Sequence, residues 1–391
     1  MNTLRILFEA QGLYLLWWLR ALGGWRDPAV VFGPRRWLLL LAGMPLFLVV
    51  QAGHGVFLLL DEWLFPRYRS TRLDKAVFIT GIPRSGTTYL HRTLTEYSNR
   101  YTTFETWEAL LAPSITQRRL IEFGERLDRR LGSPLRRGLE AGVEWLGRDL
   151  EAVHRVRLEA AEEDYLALLP AAGCLIMLLA FPGAPGLRGL GHFPSGISSR
   201  RRERLLRFHY RNLQRHLYAR GQSRILLSKN AAFGTWTADL ARWLPSARFL
   251  VCIREPEQAL ASQIRAIQSA RQITGARVDH ESVQGIFLDT LSASLEHLSC
   301  TLPRLRPDRY AVIHMEDLQR EPAAVLRAAL ARIEAGADAT LEAHLETLET
   351  AADTPVTHDV ATTLRLHPDR IRARLLPAYQ RLLALAPQTR A

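Results

Sequence analysis

Lysine is almost absent from this chain: among its 51 basic residues only Lys75 and Lys229 are lysines, and the others are arginines. We interpret the scarcity as a bias of the whole chain, which makes a lysine retained near a motif worth inspecting. The formal net charge of +12 suits anionic partners such as nucleotide phosphates or acidic lipid headgroups. Helix-turn-helix, zinc-finger and RNP-like patterns are missing, so nucleic acid is not expected as a partner.

Cysteine is also scarce, with Cys174, Cys252 and Cys300 far apart in the sequence. Three cysteines at such spacings indicate neither a disulfide framework nor a zinc knuckle, so we expect buried free thiols and no metal site. The first residues lack the basic region, compact apolar core and small-residue cleavage site of a cleavable signal peptide, so none is predicted.

Formally charged side chains are missing from residues 37–60, a stretch of 24 residues. That length exceeds the roughly 20 residues that cross a bilayer core. Gln51, His54 and Pro45 weaken it as a spanning helix, and basic residues flank it evenly, so its orientation stays open. Residues 1–72 are therefore predicted to form a hydrophobic, membrane-associating segment. Three interpretations remain: a spanning helix, a bent or interfacial docking segment, and a helical pair packed on the catalytic domain.

A strand, a glycine-containing turn and a helix are predicted at residues 76–94. The first five residues are mostly apolar, β-branched or aromatic, which is typical of a buried strand. A turn with two glycines follows, and the next residues have apolar positions at helical spacing. This geometry directs free backbone N–H groups and a helix dipole toward an anion. The candidate phosphate-binding residues are Arg84, Ser85, Gly86, Thr87 and Thr88.

The turn has the spacing of a Walker A loop, but Thr87 stands where a nucleoside triphosphatase needs lysine. A magnesium-dependent clamp is therefore not expected, and Arg84 would supply a fixed cation to a phosphate or sulfate instead. The loop resembles the 5′-phosphosulfate-binding loop of sulfotransferases that use 3′-phosphoadenosine-5′-phosphosulfate (PAPS), above all the branch of tyrosylprotein sulfotransferases and many bacterial enzymes. The resemblance implies that the backbone and hydroxyls of the loop hold the 5′-phosphate of PAPS.

A second predicted strand, residues 247–253, ends at Arg254, and Ser262 follows on what should be a helix. A guanidinium at a strand end and a hydroxyl two turns into a helix can converge on one phosphate. The pair is similar to the 3′-phosphate site of the same family. Glu255 stands where the family usually has aspartate, a departure with no evident chemical cost.

A third predicted strand ends at Lys229, where the family has a lysine followed by a proline-bearing turn. Asn230 and Ala231 depart from that form, but the lysine is retained. Its ammonium can reach the bridging oxygen between phosphate and sulfate, where negative charge grows as the sulfuryl group leaves. The resemblance therefore implies a catalytic role for Lys229, with a surface or ion-pair lysine as the alternative.

Sulfuryl transfer to a hydroxyl needs a general base. In the tyrosylprotein branch the base is a glutamate five residues before a proline, and counting back from Pro113 selects Glu108. Counting forward from the loop selects Glu105 instead. An acidic run that includes Glu163 and Asp164 resembles the acceptor-side acidic segment of the bacterial branch, and a solvated helix face is its alternative.

Long helical stretches alternate with the strands, which predicts an α/β fold with a parallel sheet and a nucleotide at the carboxyl ends of its strands. Residues 73–391 are predicted to form the sulfotransferase domain, on the cytoplasmic side of a membrane. Within it, residues 115–222 are interpreted as a helical insertion that covers the acceptor cleft. The resemblance covers about residues 77–330. The strands are predicted at residues 76–80, 225–228, 248–253 and 310–314.

These patterns predict a membrane-associated sulfotransferase that moves a sulfuryl group from PAPS to a hydroxyl or amino acceptor. The apolar N-terminal segment favours a lipid- or saccharide-linked acceptor. One alternative is a P-loop kinase or other phosphotransferase, against which Thr87 counts. Another is a non-catalytic nucleotide-binding membrane scaffold, against which the intact candidate site residues count.

Overall fold

Five short strands form one parallel sheet, and their order decides where the candidate site lies. The computed structural model of the chain describes residues 2–134, 137, 158–221, 223–268, 274–277, 280–349 and 368–386. The strands are β1 (Val77–Gly81), β2 (Tyr101–Thr102), β3 (Ile225–Lys229), β4 (Arg248–Ile253) and β5 (Tyr310–His314). Neighbouring strands pair in parallel in the order β2-β3-β1-β4-β5, so β1 lies in the middle.

The predicted α/β fold with four parallel strands is confirmed, and β2 is an additional edge strand. Tyr101 pairs with Ile225 and Thr102 with Leu226. A strand of two residues has no recognisable alternation of apolar and polar positions, so only the neighbouring β3 reveals it.

Both faces of the sheet are buried, as expected for parallel strands with helices on each side. Phe78 of β1 faces one side and stacks on Phe249 of β4, with ring centroids 5.7 Å apart. Val77 and Ile79 face the other side, where they pack in a core with Leu250. The alternate apolar side chains of each strand therefore pack into two cores, one on each face of the sheet.

Helices cover both cores, and the longest ones lie on the side of Phe78. Short 3₁₀ turns connect several of them, including one at Asp164–Ala171. The helices are α1 (Asn2–Gly23), α2 (Pro34–Leu64, with a π turn at Leu39–Gly43), α3 (Thr87–Glu96), α4 (Thr106–Leu110), α5 (Ile115–Arg130), α6 (Phe193–Gly196), α7 (Ser199–Arg220), α8 (Thr237–Trp243), α9 (Pro256–Ala266), α10 (Glu281–Thr301), α11 (Met315–Arg320), α12 (Pro322–Arg332), α13 (Ala339–Glu349) and α14 (Pro368–Leu383).

The predicted insertion, residues 115–222, is helical at both ends. It begins with α5 and finishes with α7, and 3₁₀ turns and the short α6 occupy the later part of the interval between them. Residues 135, 136, 138–157 and 222 of this interval lie outside the described residues. Its role in covering an acceptor cleft stays a prediction.

The N-terminal helices pack on each other, and α2 also packs on α5. The inward side of α2 is polar: the buried carboxylate of Asp61 accepts hydrogen bonds from the backbone N–H groups of Ile115 and Thr116 at 2.7 and 2.9 Å. The same carboxylate lies 3.2 Å from the guanidinium of Arg215 on α7. These contacts are those of a helical pair packed on the rest of the chain.

The outward sides of the same helices are apolar. Within the described residues, Pro34–Leu64 is the one helix that is long and apolar enough to cross a membrane. Its most apolar 18 residues have a mean hydropathy of 1.7, and 28% of that window is buried. A helix in the core of a soluble protein would be mostly buried. The exposed apolar residues include Leu4, Phe8, Leu15 and Leu19 on α1, Leu46, Val49, Val56 and Trp63 on α2, and Leu120, Phe123 and Leu127 on α5.

The three cysteines are free, but they are not all buried. Cys174 and Cys252 are buried as predicted, whereas Cys300 is exposed near the end of α10. The prediction for Cys300 is wrong because composition alone does not tell which side of a helix faces solvent.

Candidate active site

The phosphate loop, residues 81–86, begins where β1 meets β4. Gly81 has a φ of 133°, and a Cβ at this position would lie 1.9 Å from the carbonyl oxygen of Cys252. The same carbonyl accepts a hydrogen bond from the N–H of Ile82 at 3.1 Å. Only glycine allows the loop to leave the strand this close to its neighbour.

The loop ends at the N-terminus of α3 with two residues in the left-handed region. Arg84 has a φ of 63°. Gly86 directly precedes the first turn of α3 and has a φ of 88°. The N–H groups in the first turn of a helix have no acceptor within the helix. Together with the helix dipole they favour an anion here, and a non-glycine residue in the left-handed region is a strain that concentrates at functional sites.

The hydroxyl of Ser85 is oriented differently from the sequence-based expectation. It is buried and donates toward the carbonyl oxygens of Ile82 and Cys252, which lie at 2.6 and 3.0 Å. Its proton is therefore directed at the backbone of the loop, and Ser85 can offer an anion its backbone N–H. The hydroxyls of Thr87 and Thr88 lie in the first turn of α3.

Arg84, Ser262 and Arg254 come together beside the loop, as the sequence predicts for a phosphate site. Nε of Arg84 donates to Oγ of Ser262 at 3.0 Å, although the two residues are 178 positions apart. Nη1 of Arg254 donates to the carbonyl oxygen of Arg84 at 3.3 Å. The side chain of Glu255 caps α9 by accepting from the N–H of Gln258 at 3.0 Å, so glutamate serves as the N-cap where the family has aspartate.

Arg265 is a further member of this group that sequence reasoning missed. Burial lowers the pKa of Arg254, and the charges of Arg84 and Arg265 lower it further, so both lie close enough to Arg254 to repel its guanidinium. Nε and Nη2 of Arg265 are buried and have no hydrogen-bond partner among the described residues. Its position three residues after Ser262, on the same side of a helix, was the available signal.

Lys229 lies at the carboxyl end of β3, on the other side of β1 from Arg254. Its side chain is nearly buried and forms an ion pair with Glu163. Burial lowers the pKa of His91 on α3 to about 3, and the charge of Lys229 acts in the same direction. The ammonium therefore lies near the helix that follows the phosphate loop.

Asp164 and Ser228 form a second pair directly beside the first. Oγ of Ser228 donates to Oδ2 of Asp164 at 2.7 Å, and Nε2 of His209 lies 3.7 Å from the same oxygen. Burial raises the pKa of Asp164 to about 7, against the effect of the Ser228 hydrogen bond. Two consecutive acidic residues thus attach the 3₁₀ turn at Asp164–Ala171 to the end of β3.

Glu105 and Glu108 form a capping box at the start of α4. The N–H of Glu105 donates to the Glu108 carboxylate at 2.9 Å. Nε of Arg220 also donates to Glu108, at 2.8 Å, and Nη2 of the same guanidinium donates to Glu105 at 2.8 Å. The spacing of two acidic residues three positions apart, just before a helical run, is the sequence signal of such a cap.

Glu108 is fully buried and lies against two guanidiniums and an imidazole. Arg118 lies 3.1 Å from its carboxylate and His216 lies 3.5 Å away. Burial alone would raise the pKa of Glu108, but Arg118, His216 and Arg220 together lower it to about 2. A carboxylate with these partners is a weak proton acceptor, and its environment is that of an ion-pair network that joins α4 to α5 and α7.

The sequence profile of the sulfotransferase family matches residues 76–338, about two thirds of the chain. The chain belongs to the sulfotransferase family. The matched range contains the phosphate loop and the strand ends that carry Lys229 and Arg254. No curated protein is significantly similar to this sulfotransferase in sequence.

Two solved mycobacterial sulfotransferases have the same fold. STF1 of Mycobacterium tuberculosis H37Rv is 17% identical with a TM-score of 0.70, and the alignment covers 96% of this chain and 93% of STF1. STF9 of Mycobacterium avium is 13% identical with a TM-score of 0.66, with 92% and 87% covered. The family profile begins at residue 76, after α1 and α2. The structural alignment with STF1 covers 96% of this chain, so it leaves out too few residues to omit both helices. The fold shared with STF1 therefore includes most of α1 and α2.

The described residues of this sulfotransferase contain no group of three or more His, Cys, Asp or Glu side chains that could hold a metal ion. The charged groups that meet at the carboxyl ends of the strands are instead guanidiniums, one ammonium and the carboxylate of Glu163. Such a set binds anions and can transfer a proton.

Proposed function

We propose that this sulfotransferase uses PAPS as its donor and a hydroxyl group as its acceptor. The observation that carries the proposal is the contact of Arg84 with both Ser262 and Arg254 beside the N-terminus of α3. The loop and the helix N-terminus suit the 5′-phosphosulfate, and the cluster of guanidiniums suits the 3′-phosphate. The charge of Arg265 near Arg254 supports this assignment, because a phosphate there would offset the positive charge.

Lys229 and Glu163 are the proposed catalytic residues. The acceptor oxygen attacks sulfur, the bond from sulfur to the bridging oxygen breaks, and 3′-phosphoadenosine 5′-phosphate leaves with the bond's electron pair. Lys229 stabilises the charge on the bridging oxygen. An ammonium has three donors, so it can hold Glu163 and the bridging oxygen at once.

Glu163 is the better candidate for the general base than Glu108 or Glu105. Its side chain is 23% exposed and pairs with one cation, Lys229, so an acceptor can reach it. Glu108 has no exposed surface and two guanidinium partners, and Glu105 holds Arg220 and the indole N–H of Trp107. The sequence-based choice of Glu108 stays a prediction, and its surroundings weigh against it.

Calorimetry with 3′-phosphoadenosine 5′-phosphate and with ATP-magnesium tests the donor. We expect the bisphosphate to bind more tightly, and Arg254→Ala to weaken it at least about tenfold because a charge-assisted hydrogen bond is lost. Arg306→Ala, which removes an exposed guanidinium next to Asp308, serves as the matched control. Tighter binding of ATP, or an unchanged affinity in the Arg254 variant, would rule out this donor.

The proposed location is a membrane surface, with α1, α2 and α5 lying on the lipid rather than crossing it. Asp61 and Arg215 bind the inward side of α2 to the domain, so lipid cannot surround that helix. The outward apolar residues and the net positive charge suit an anionic bilayer surface. A lipid-linked acceptor and a cytoplasmic catalytic domain agree with this placement and stay predictions.

A further inference from the structure

A cavity of about 590 Å³ lies between α1 and the start of α7, outside the candidate active site. Apolar groups form most of its wall, with Leu13, Leu16 and Trp17 from α1 and Leu190 and Ile197 opposite them. Its volume falls in the range of about 300–1,000 Å³ typical of small-molecule sites. A ligand that filled it would have to be largely apolar, because the wall offers few hydrogen-bond partners.

The cavity opens along the outward apolar side of α1. Gly12 and Leu16 line the cavity and are also exposed at the surface. Leu15 and Leu19 are exposed apolar residues of the same helix, and both are close to Leu16 in the sequence. An apolar ligand dissolved in the bilayer could therefore enter without crossing a polar surface.

One end of the cavity has a cationic rim. Arg204 lies 2.8 Å from Glu9, and Arg201 donates to the carbonyl oxygen of Ala172 at 2.9 Å. Glu9 and Arg201 line the cavity. Because Arg5 and Arg204 both pair with Glu9, the charge of Arg201 leaves the rim positive. The rim also lies at the N-terminus of the 22-residue helix α7, whose dipole favours an anion.

We propose that this cavity binds one acyl chain of an anionic membrane lipid, with the headgroup at Arg201. The proposal rests on the proposed membrane surface, because the opening lies on that side. The apolar wall suits the chain and the positive rim suits an anionic head. A sugar or a nucleotide would leave its hydroxyls unpaired against Leu13, Leu16 and Trp17.

The fluorescent fatty acid cis-parinarate tests the cavity, with the full chain in detergent-free buffer and no nucleotide. We expect saturable binding of one molecule. Gly12→Leu should lower the affinity at least about tenfold because it fills the cavity, and a Cβ at Gly12 meets no atom within 4 Å. Gly285→Leu on α10 is the matched control, since a Cβ there also meets nothing within 4 Å, and it should bind as the unaltered chain does.

The neutral methyl ester of parinarate tests the rim. We expect the acid to bind at least about fivefold more tightly than the ester, and Arg201→Gln to remove this preference. Leu16→Trp is a second filling variant in case Gly12→Leu does not fold. Unchanged affinity in both filling variants, or equal affinities for acid and ester, would overturn the proposal. Because no nucleotide is present, either result leaves the calorimetric test of the PAPS donor unaffected.

Discussion

At the scale of single residues, Gly81 decides whether the phosphate loop can form. Its φ of 133° is unfavourable for any other residue, and the carbonyl of Cys252 occupies the space that a Cβ would take. The obstacle is backbone of a central strand, so it cannot move aside as a flexible side chain could.

We expect Gly81→Ala to lower the free energy of unfolding by about 3–5 kcal/mol, a large effect that strain of this kind can produce. Gly285→Ala is the control, because that glycine lies in α10 with open space around it. It should leave stability unchanged or raise it by up to about 1 kcal/mol. Urea denaturation measures both variants, and equal stabilities would contradict the role assigned to Gly81.

Glu163 and Glu108 also differ at this scale, since Glu163 pairs with Lys229, the proposed catalytic lysine, and Glu108 lies in a buried network. Glu163→Gln should lower kcat by about 10²–10⁴-fold with little change in melting temperature or nucleotide affinity.

Glu108→Gln should instead destabilise the fold by about 3–5 kcal/mol, because it leaves buried Arg118 without its counter-charge.

Steady-state kinetics, calorimetry and thermal melting on both glutamine variants separate these outcomes. A stable Glu108→Gln protein without turnover would return the role of base to Glu108. Full turnover in Glu163→Gln would remove Glu163 from the mechanism.

At the scale of elements, the contact between the 3₁₀ turn at Asp164–Ala171 and the end of β3 positions Glu163 and Lys229, the proposed catalytic pair. Glu163 with Lys229 and Asp164 with Ser228 are two consecutive pairs between the same two segments. The groups that face Asp164 are therefore Glu163, Lys229, Ser228 and His209.

The titration of Asp164 predicts a pH-dependent stability. Burial raises its pKa to about 7 in the folded protein, against about 3.9 for an unfolded chain. The native state therefore binds more protons between these values, and the contribution of Asp164 to stability is lost as the pH rises through that window. Asp164→Asn does not titrate, so its stability relative to the unaltered chain should rise from pH 4 to 7, by up to about 1.4 kcal/mol per pH unit.

Urea denaturation of both proteins at each pH from 4 to 8 measures this difference. The difference should level off above the folded pKa. A difference that stays constant from pH 4 to 7 would show that Asp164 is already ionised in the folded protein at low pH.

At the scale of the whole molecule, the exposed apolar residues of α1, α2 and α5 should determine membrane binding. We expect the combined variant Phe8→Ser, Val49→Ser and Phe123→Ser to lower partition onto phosphatidylglycerol vesicles at least about tenfold, because each side chain loses apolar area buried in lipid. Leu383→Ser, an exposed leucine at the end of α14, is the control.

Co-sedimentation at low and high salt measures this partition, and alkaline carbonate tests the topology. An interfacial protein is released by carbonate, whereas a spanning helix keeps the chain in the membrane. Retention after carbonate treatment would support the spanning interpretation of α2. Equal partition of the triple variant and the unaltered chain would remove the proposed surface.

The sequence by itself determined the sheet and the placement of the candidate phosphate-binding residues at one edge of it. A buried apolar strand followed by a glycine turn is a local pattern, and parallel strands bring their carboxyl ends to one edge. This is why Arg84, Arg254 and Ser262 could be placed together before their contacts were seen. Lys229 was placed at the same edge for the same reason.

Only the tertiary structure decided which acidic residue pairs with Lys229 and which lie in a buried ion-pair network. The choice of Glu108 as the base stays a prediction from sequence, and Arg118 and Arg220 reach it from helices later in the chain. The buried Asp61 could not be assigned for the same reason, whereas the spacing of Arg265 from Ser262 was a signal in the sequence. Burial and ion pairing depend on residues far apart in sequence, and the charge state of a carboxylate depends on both.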